Sequence, residues 1–153
     1  MPERERTPYG VDRLVVRDPS LGVLRFNPEL AWWEGDLPGD VDAALYVDGI
    51  ADPEPNWLQQ VRATVTAARG TIPDAVEFAA AQLLDEHNER WRNDDVPLTA
   101  DGFVAAVSLS SVAVRANGTV EIYLDDGDLF DGHAIIVTLD RDLTPSDAQI
   151  AAE

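Results

Sequence analysis

Between two apolar segments the chain carries Asp-Asp-Gly-Asp-Leu-Phe-Asp-Gly-His at residues 125–133, its densest gathering of groups able to bind a cation or move a proton. A calcium loop of the EF-hand kind needs acidic side chains alternating before a glycine and a bidentate Glu near its end. This segment has neither. A transition metal prefers imidazole, and the chain has two histidines, His87 and His133. With Asp85, Glu89 or Asp131 they would make a two-His, one-carboxylate set only where the fold joins them. The enzymatic reading is a metal-dependent hydrolase using Asp125, Asp126, Asp128, Asp131 and His133, although general acid–base work requires partners within hydrogen-bond reach and none is evident. The structural reading asks less. Gly127 and Gly132 permit backbone angles closed to other residues, aspartates bond loop amides, Leu129 and Phe130 turn inward, and His133 bonds the loop backbone. The aspartates then face outward as a candidate partner-binding patch, and neither a metal nor a cofactor is expected.

Other reaction chemistry is missing from the chain. There is no phosphate-binding Gly-rich loop with Lys, no G-x-S-x-G elbow and no cysteine nucleophile. Ser108, Ser110 and Ser111 fall at the start of a strand, where hydroxyls are ordinary. Trp32 and Trp33 are adjacent, so on a strand one faces inward and the other outward. The outward ring is either covered by a neighbouring element or is an aromatic anchor for a partner, and Trp32 joins the candidate partner-binding residues on that ground.

Nineteen Asp and ten Glu stand against eleven Arg and no Lys, for a formal charge of −18. Phosphate repels such a surface, so nucleic acid is not an expected partner. Acidity of this size is the solvated surface of an Arg-rich proteome, a face for a basic partner, or adaptation to a salt-rich cytoplasm. No apolar run approaches a membrane span, MPERERTPYG lacks the core of a signal peptide, and the absence of cysteine suits a reducing cytosol. A cytoplasmic protein with no membrane partner is the expectation.

The elements that must position these residues follow from periodicity. The chain is read as a single domain over 1–153, with 1–12 a flexible tail. Strands are expected over 14–18 and 21–27 around Pro19-Ser20, in the segment before Pro38-Gly39, and over 41–48. In that last strand Val41, Ala43, Leu45 and Val47 share one face. Asn56 is read as the N-cap of a helix running to Arg69 and stopped by Gly70. A second helix, with Pro73 in its first turn, carries the stripe Val76, Ala80, Leu83 or Leu84, His87 and Trp91. A short helix opens near Thr99. From Leu109 the period returns to two: a hairpin at Asn117-Gly118, an apolar strand over 134–139, and an edge strand over 147–151. The fold class is therefore α+β, an antiparallel sheet formed by N-terminal strands and a C-terminal meander with two main helices packed on it.

Leu-Leu-Asp-Glu-His-Asn-Glu-Arg-Trp at 83–91, the Asn117-Gly118 hairpin and above all residues 125–140 resemble a family of uncharacterised prokaryotic domains of unknown function. Its C-terminal half has a strand ending acidic–glycine–acidic, then Leu-Phe, one residue, Gly-His and a further strand. The resemblance runs from about Trp33 onward, with Phe130, Gly132 and His133, beside Trp91, as its structural motif. It implies a fold and no reaction. The functional expectation is accordingly a small acidic protein acting through binding rather than catalysis, in its sharpest form an inhibitor or immunity-type protein masking a partner with a basic surface; the hydrolase is the alternative.

Overall fold

The computed structural model describes residues 3–6, 12–39, 42–49, 53–54, 56–92 and 95–151. Among them nine strands form one sheet in chain order: β1 (Glu3–Arg6), β2 (Asp12–Asp18), β3 (Gly22–Asn27), β4 (Trp32–Asp36), β5 (Ala44–Asp48), β6 (Ser108–Val114), β7 (Val120–Asp125), β8 (Ile135–Leu139) and β9 (Pro145–Ile150). Between β5 and β6 come α1 (Trp57–Glu86), a π-helical turn over His87–Trp91, and α2 (Ala100–Ala106). The class is α+β. Every neighbouring pair is antiparallel except β5 and β6, which run parallel with Leu45 opposite Val112 and Val47 opposite Val114. The sheet is thus two antiparallel meanders joined by one parallel pair, where an antiparallel sheet throughout was expected.

The two main helices expected over 56–69 and 73–92 are one. Val61, Val65, Ala68, Ala75, Ala79 and Leu83 are buried along a single face of α1, so the apolar stripe crosses Gly70 and Pro73 without a break. Gly70 is exposed and a Cβ there would meet nothing within 4 Å; it is helix interior, not a terminator. Pro73 lacks the N–H that would bond the carbonyl four residues back, but it sits on the exposed side, where water reaches that carbonyl. Packing of the stripe outweighs both breakers. Asn56 makes no side-chain cap bond, whereas Thr99 does cap α2, accepting the Gly102 amide at 3.0 Å.

Within the segment 1–12, Glu3–Arg6 pair with β2 from Glu3↔Val15 to Arg6↔Asp12. A short strand of alternating charge suits a sheet edge because it discourages pairing with other chains. Residues 1–2 and 7–11, and Val41, lie outside the described residues.

The register makes the two faces of the sheet unlike. On the inner face a rung runs Phe26, Trp33, Val47, Val114, Val120, Leu139, and beside it another runs Leu45, Val112, Ile122, Val137. These join the buried side of α1 in one core, with Trp33 fully enclosed between Phe26 and Trp57. The adjacent outer rung reads Arg25, Glu34, Tyr46, Ala113, Glu121, Thr138. Gly35 permits the approach of β4 to β3, since a Cβ there would lie 2.7 Å from the Val23 carbonyl oxygen.

One ion pair ties helix to sheet. Asp18, buried at the β2–β3 turn, accepts the Ser20 and Leu21 amides at 2.8 and 2.9 Å and receives the Arg62 guanidinium from α1. The Arg62 bond, helped by the two amides, holds the Asp18 carboxyl below its ordinary range against the opposing effect of burial. A depressed folded-state value stabilises above the unfolded value of about 4 and is lost as pH falls through the folded one. Asp18→Asn is therefore expected to melt below the wild type at pH 5–7, with the gap closing below about pH 4. A gap that is constant with pH would show that the charge plays no part.

Candidate interaction surface

The 125–133 loop is built around one carboxylate. Asp126 is 3% exposed, and its Oδ1 accepts the Asp128 amide at 3.2 Å while Oδ2 accepts those of Phe130 and Gly132 at 2.8 and 2.9 Å. Two sharp changes of direction follow, at Gly127-Asp128 and at Asp131-Gly132, all four residues being in the left-handed region. Aspartate tolerates that region better than most residues. Gly127 has a further constraint, because a Cβ on it would fall 2.2 Å from the Ala106 carbonyl oxygen at the end of α2.

The turns drive Phe130 into the core. Its ring is fully buried against His87 at 5.7 Å, Trp91 at 5.6 Å and Phe103 at 6.3 Å between centroids, and Trp91 also meets the His133 ring at 5.8 Å. Edge-on contacts of this kind add to simple area burial. Leu129 is half-buried, and the His133 amide bonds the Phe130 carbonyl at 3.1 Å. The loop thus locks the π-helical turn after α1 to the end of β7. Asn88 of that turn holds the next segment, its amide group pairing with both the carbonyl and the N–H of Leu98 at 3.0 and 2.8 Å.

Asp126 must therefore be removed from the candidate partner-binding patch: it is an internal anchor, because three loop amides need an acceptor more than solvent needs a fourth aspartate. Asp125, Asp128 and Asp131 are exposed, the first also accepting the Gly127 amide at 2.9 Å. His87 and His133 share the aromatic cluster, yet among the described residues no three His, Asp or Glu side chains come together as a metal site would require. Both Asp126 oxygens are taken by loop amides, so of the carboxylates named for the hydrolase reading Asp125, Asp128 and Asp131 remain exposed.

Trp32 belongs to a different surface. It lies on the outer face, half-buried, stacked on Tyr46 at 4.7 Å, with its indole N–H on Glu34 at 2.8 Å. Asn27 bonds the same Glu34 oxygen at 2.9 Å. Beyond Tyr46 stands Arg115, 5.9 Å over the Trp32 ring, bonded to Glu121, Asp48 and Tyr123. Burial opposes the Arg115 charge, but its bond to Glu121 and the charges of Glu121, Tyr123 and Asp48 prevail and its pKa is raised. Burial, then Glu121, raises that of Tyr123. Ala113, small and 2% exposed, leaves room for this belt on the sheet.

The two surfaces do not meet. Asp125 pairs with Ser108, the first residue of β6, whereas the Trp32 belt reaches Arg115, one residue past its last. Seven residues of strand separate them, about 23 Å at the usual rise. Glu34, Tyr46, Arg115, Glu121 and Tyr123 were not among the candidates. Their signal in the sequence is the spacing of two in Trp32/Glu34, Tyr46/Asp48 and Glu121/Tyr123, which puts each pair on one face, but only the register joins the pairs.

A family model described as "Uncharacterized protein conserved in bacteria (DUF2262)" matches residues 18–150, and the chain belongs to that family. No curated protein and no solved structure matches it. None of the described helices is long and apolar enough to cross a membrane.

Proposed function

We propose that this member of the bacterial family is a binding protein, an inhibitor or immunity-type protein that masks a basic protein partner in the cytoplasm, with the outer face of the sheet as its contact surface. The observation that carries the reading is the belt on that face. Among the described residues the helices pack on the inner face, with Trp32 and Tyr46 stacked outside among Glu34, Asp48 and Glu121. Stacked aromatics already held in place lose little entropy when a partner covers them, which is why such residues dominate interface energetics. The surrounding carboxylates and the net charge of −18 steer a cationic partner. The exposed Asp125, Asp128 and Asp131 add to the same field from the other end of the sheet.

The test is to isolate the partner by affinity capture from a bacterium that carries the gene, then to measure association with purified components. The on-rate is expected to fall at least about tenfold between 50 and 500 mM salt. Trp32→Ala should weaken binding by about 2 kcal/mol, roughly thirtyfold, while the triple variant of Asp125, Asp128 and Asp131 to Asn slows capture and leaves the melting temperature within a few degrees, since exposed charges contribute about 0–1 kcal/mol each. A salt-independent on-rate, or a Trp32 variant that binds as the wild type does, refutes the assignment of this face.

A further inference from the structure

A cleft of about 540 Å³ opens between the first two turns of α1 and the ends of β5 and β6, sharing only Asp48 and Arg115 at its rim with the Trp32 belt. Its floor is Val47, Val61 and Val114, and the Trp57 ring forms a wall. Asn56, Gln60 and Thr64 line it from the helix side at intervals of four, one stripe of an α-helix. None of these three side chains makes a hydrogen bond among the described residues. The cleft lies where the single parallel strand pair ends and its crossover helix begins. Apolar walls with a few convergent polar groups, at a volume within about 300–1,000 Å³, are what such a site requires.

From this geometry we infer a second binding site, for a small uncharged planar molecule with an amide- or nucleobase-like edge. The Trp57 wall suits a flat ring. The Gln60 and Asn56 amides each offer a donor beside an acceptor, which matches an edge that does the same. Charge disfavours anions: Asp48 and Glu54 stand at the rim, and the one cation among the described lining residues, Arg115, is already paired with Asp48 and Glu121.

The test titrates the full chain with adenosine, nicotinamide and, as the anionic counterpart of the first, adenosine monophosphate, following backbone amide NMR shifts. Adenosine or nicotinamide is expected to shift the amides of Trp57, Gln60 and Thr64 saturably, adenosine in the sub-millimolar range, on the order of what a ligand of its size attains. The monophosphate should bind at least about tenfold more weakly. Gln60→Leu should cost about tenfold, and Thr64→Phe, which fills the cleft from an incompletely buried position, should abolish the shifts without lowering the melting temperature. The inference is overturned by an absence of saturable shifts at residues 56–64 with either neutral probe at about 10 mM, by shifts that survive Thr64→Phe, or by a monophosphate that binds as tightly as the nucleoside. None of these outcomes touches the outer face, so the two readings fail separately.

Discussion

Replacing Phe130 with alanine is expected to lower the unfolding free energy by about 3–5 kcal/mol, the usual cost of emptying a fully buried aromatic site. The reason is where the ring sits. It is the common neighbour of His87 and Trp91 on the π-helical turn and of Phe103 on α2, so two elements lose their contact with the loop together. Denaturant titration followed by tryptophan fluorescence measures the loss, and Trp91 reports it locally. Leu30→Ala, at a site 56% exposed, serves as the control and should stay within about 0.5 kcal/mol of wild type. A Phe130 variant that loses under 1 kcal/mol would show that the aromatic cluster does not hold the loop, an outcome set against the range usual for such sites.

Asp126→Ala should cost about 2–4 kcal/mol, although it removes a negative charge from a chain that has many. The Asp128, Phe130 and Gly132 amides would lose their acceptor at once. An unsatisfied buried amide costs about 1–3 kcal/mol, less where water can reach it, as it can at the exposed Asp128 and Gly132. Asp126→Asn separates charge from geometry. Its remaining oxygen can serve Phe130 and Gly132, but its NH₂ would face the Asp128 N–H, donor against donor. Roughly half the alanine loss is therefore expected. Thermal melts of the two variants beside Asp128→Asn decide the matter. If all three melt together, Asp126 is no anchor.

Much of this could be read from the chain, and what could not has a physical cause. The strands were legible because apolar and polar residues alternate in Ala43–Asp48 and Val120–Leu124, and the sheet's burial follows that alternation. The break in α1 was misread because Gly70 and Pro73 are local signals, while the rhythm Val61, Val65, Ala68, Ala75, Ala79, Leu83 that overrides them is spread over six turns. That misreading also hides the topology. Two helices folded back on each other return the chain to the end it left, and the next strand then runs antiparallel; one long helix carries it to the other end, and the next strand runs parallel. In the loop, four aspartates are alike in sequence, and only the course of the turn selects Asp126 for burial. The Asn117-Gly118 signal gave the hairpin but not its type. Only Gly118 has positive φ, and Ala116, Asn117 and Gly118 form a three-residue loop closed by Arg115 and Thr119.

Every strand pairing but one in this sheet joins segments a few residues apart, and each can close soon after both strands exist. The exception is β5 with β6, where Ala44 meets Ser111 across the whole crossover. Closing some 60 residues of chain costs about 3–4 kcal/mol in entropy before any contact repays it. The order of events in folding follows: two hairpin assemblies form quickly and independently, and their docking, templated by α1, is the slow step. Contacts inside a meander are already made at the docking barrier, so Val15→Ala should slow refolding in stopped flow and leave unfolding nearly unchanged, whereas truncations at the seam, Val47→Ala and Val114→Ala, should divide their effect between the two rates; a Val15→Ala variant that chiefly speeds unfolding would place the slow step elsewhere. During synthesis, the first five strands emerge with an unpaired β5 edge and a bare apolar face, both of which stay open until the ribosome has released the other half.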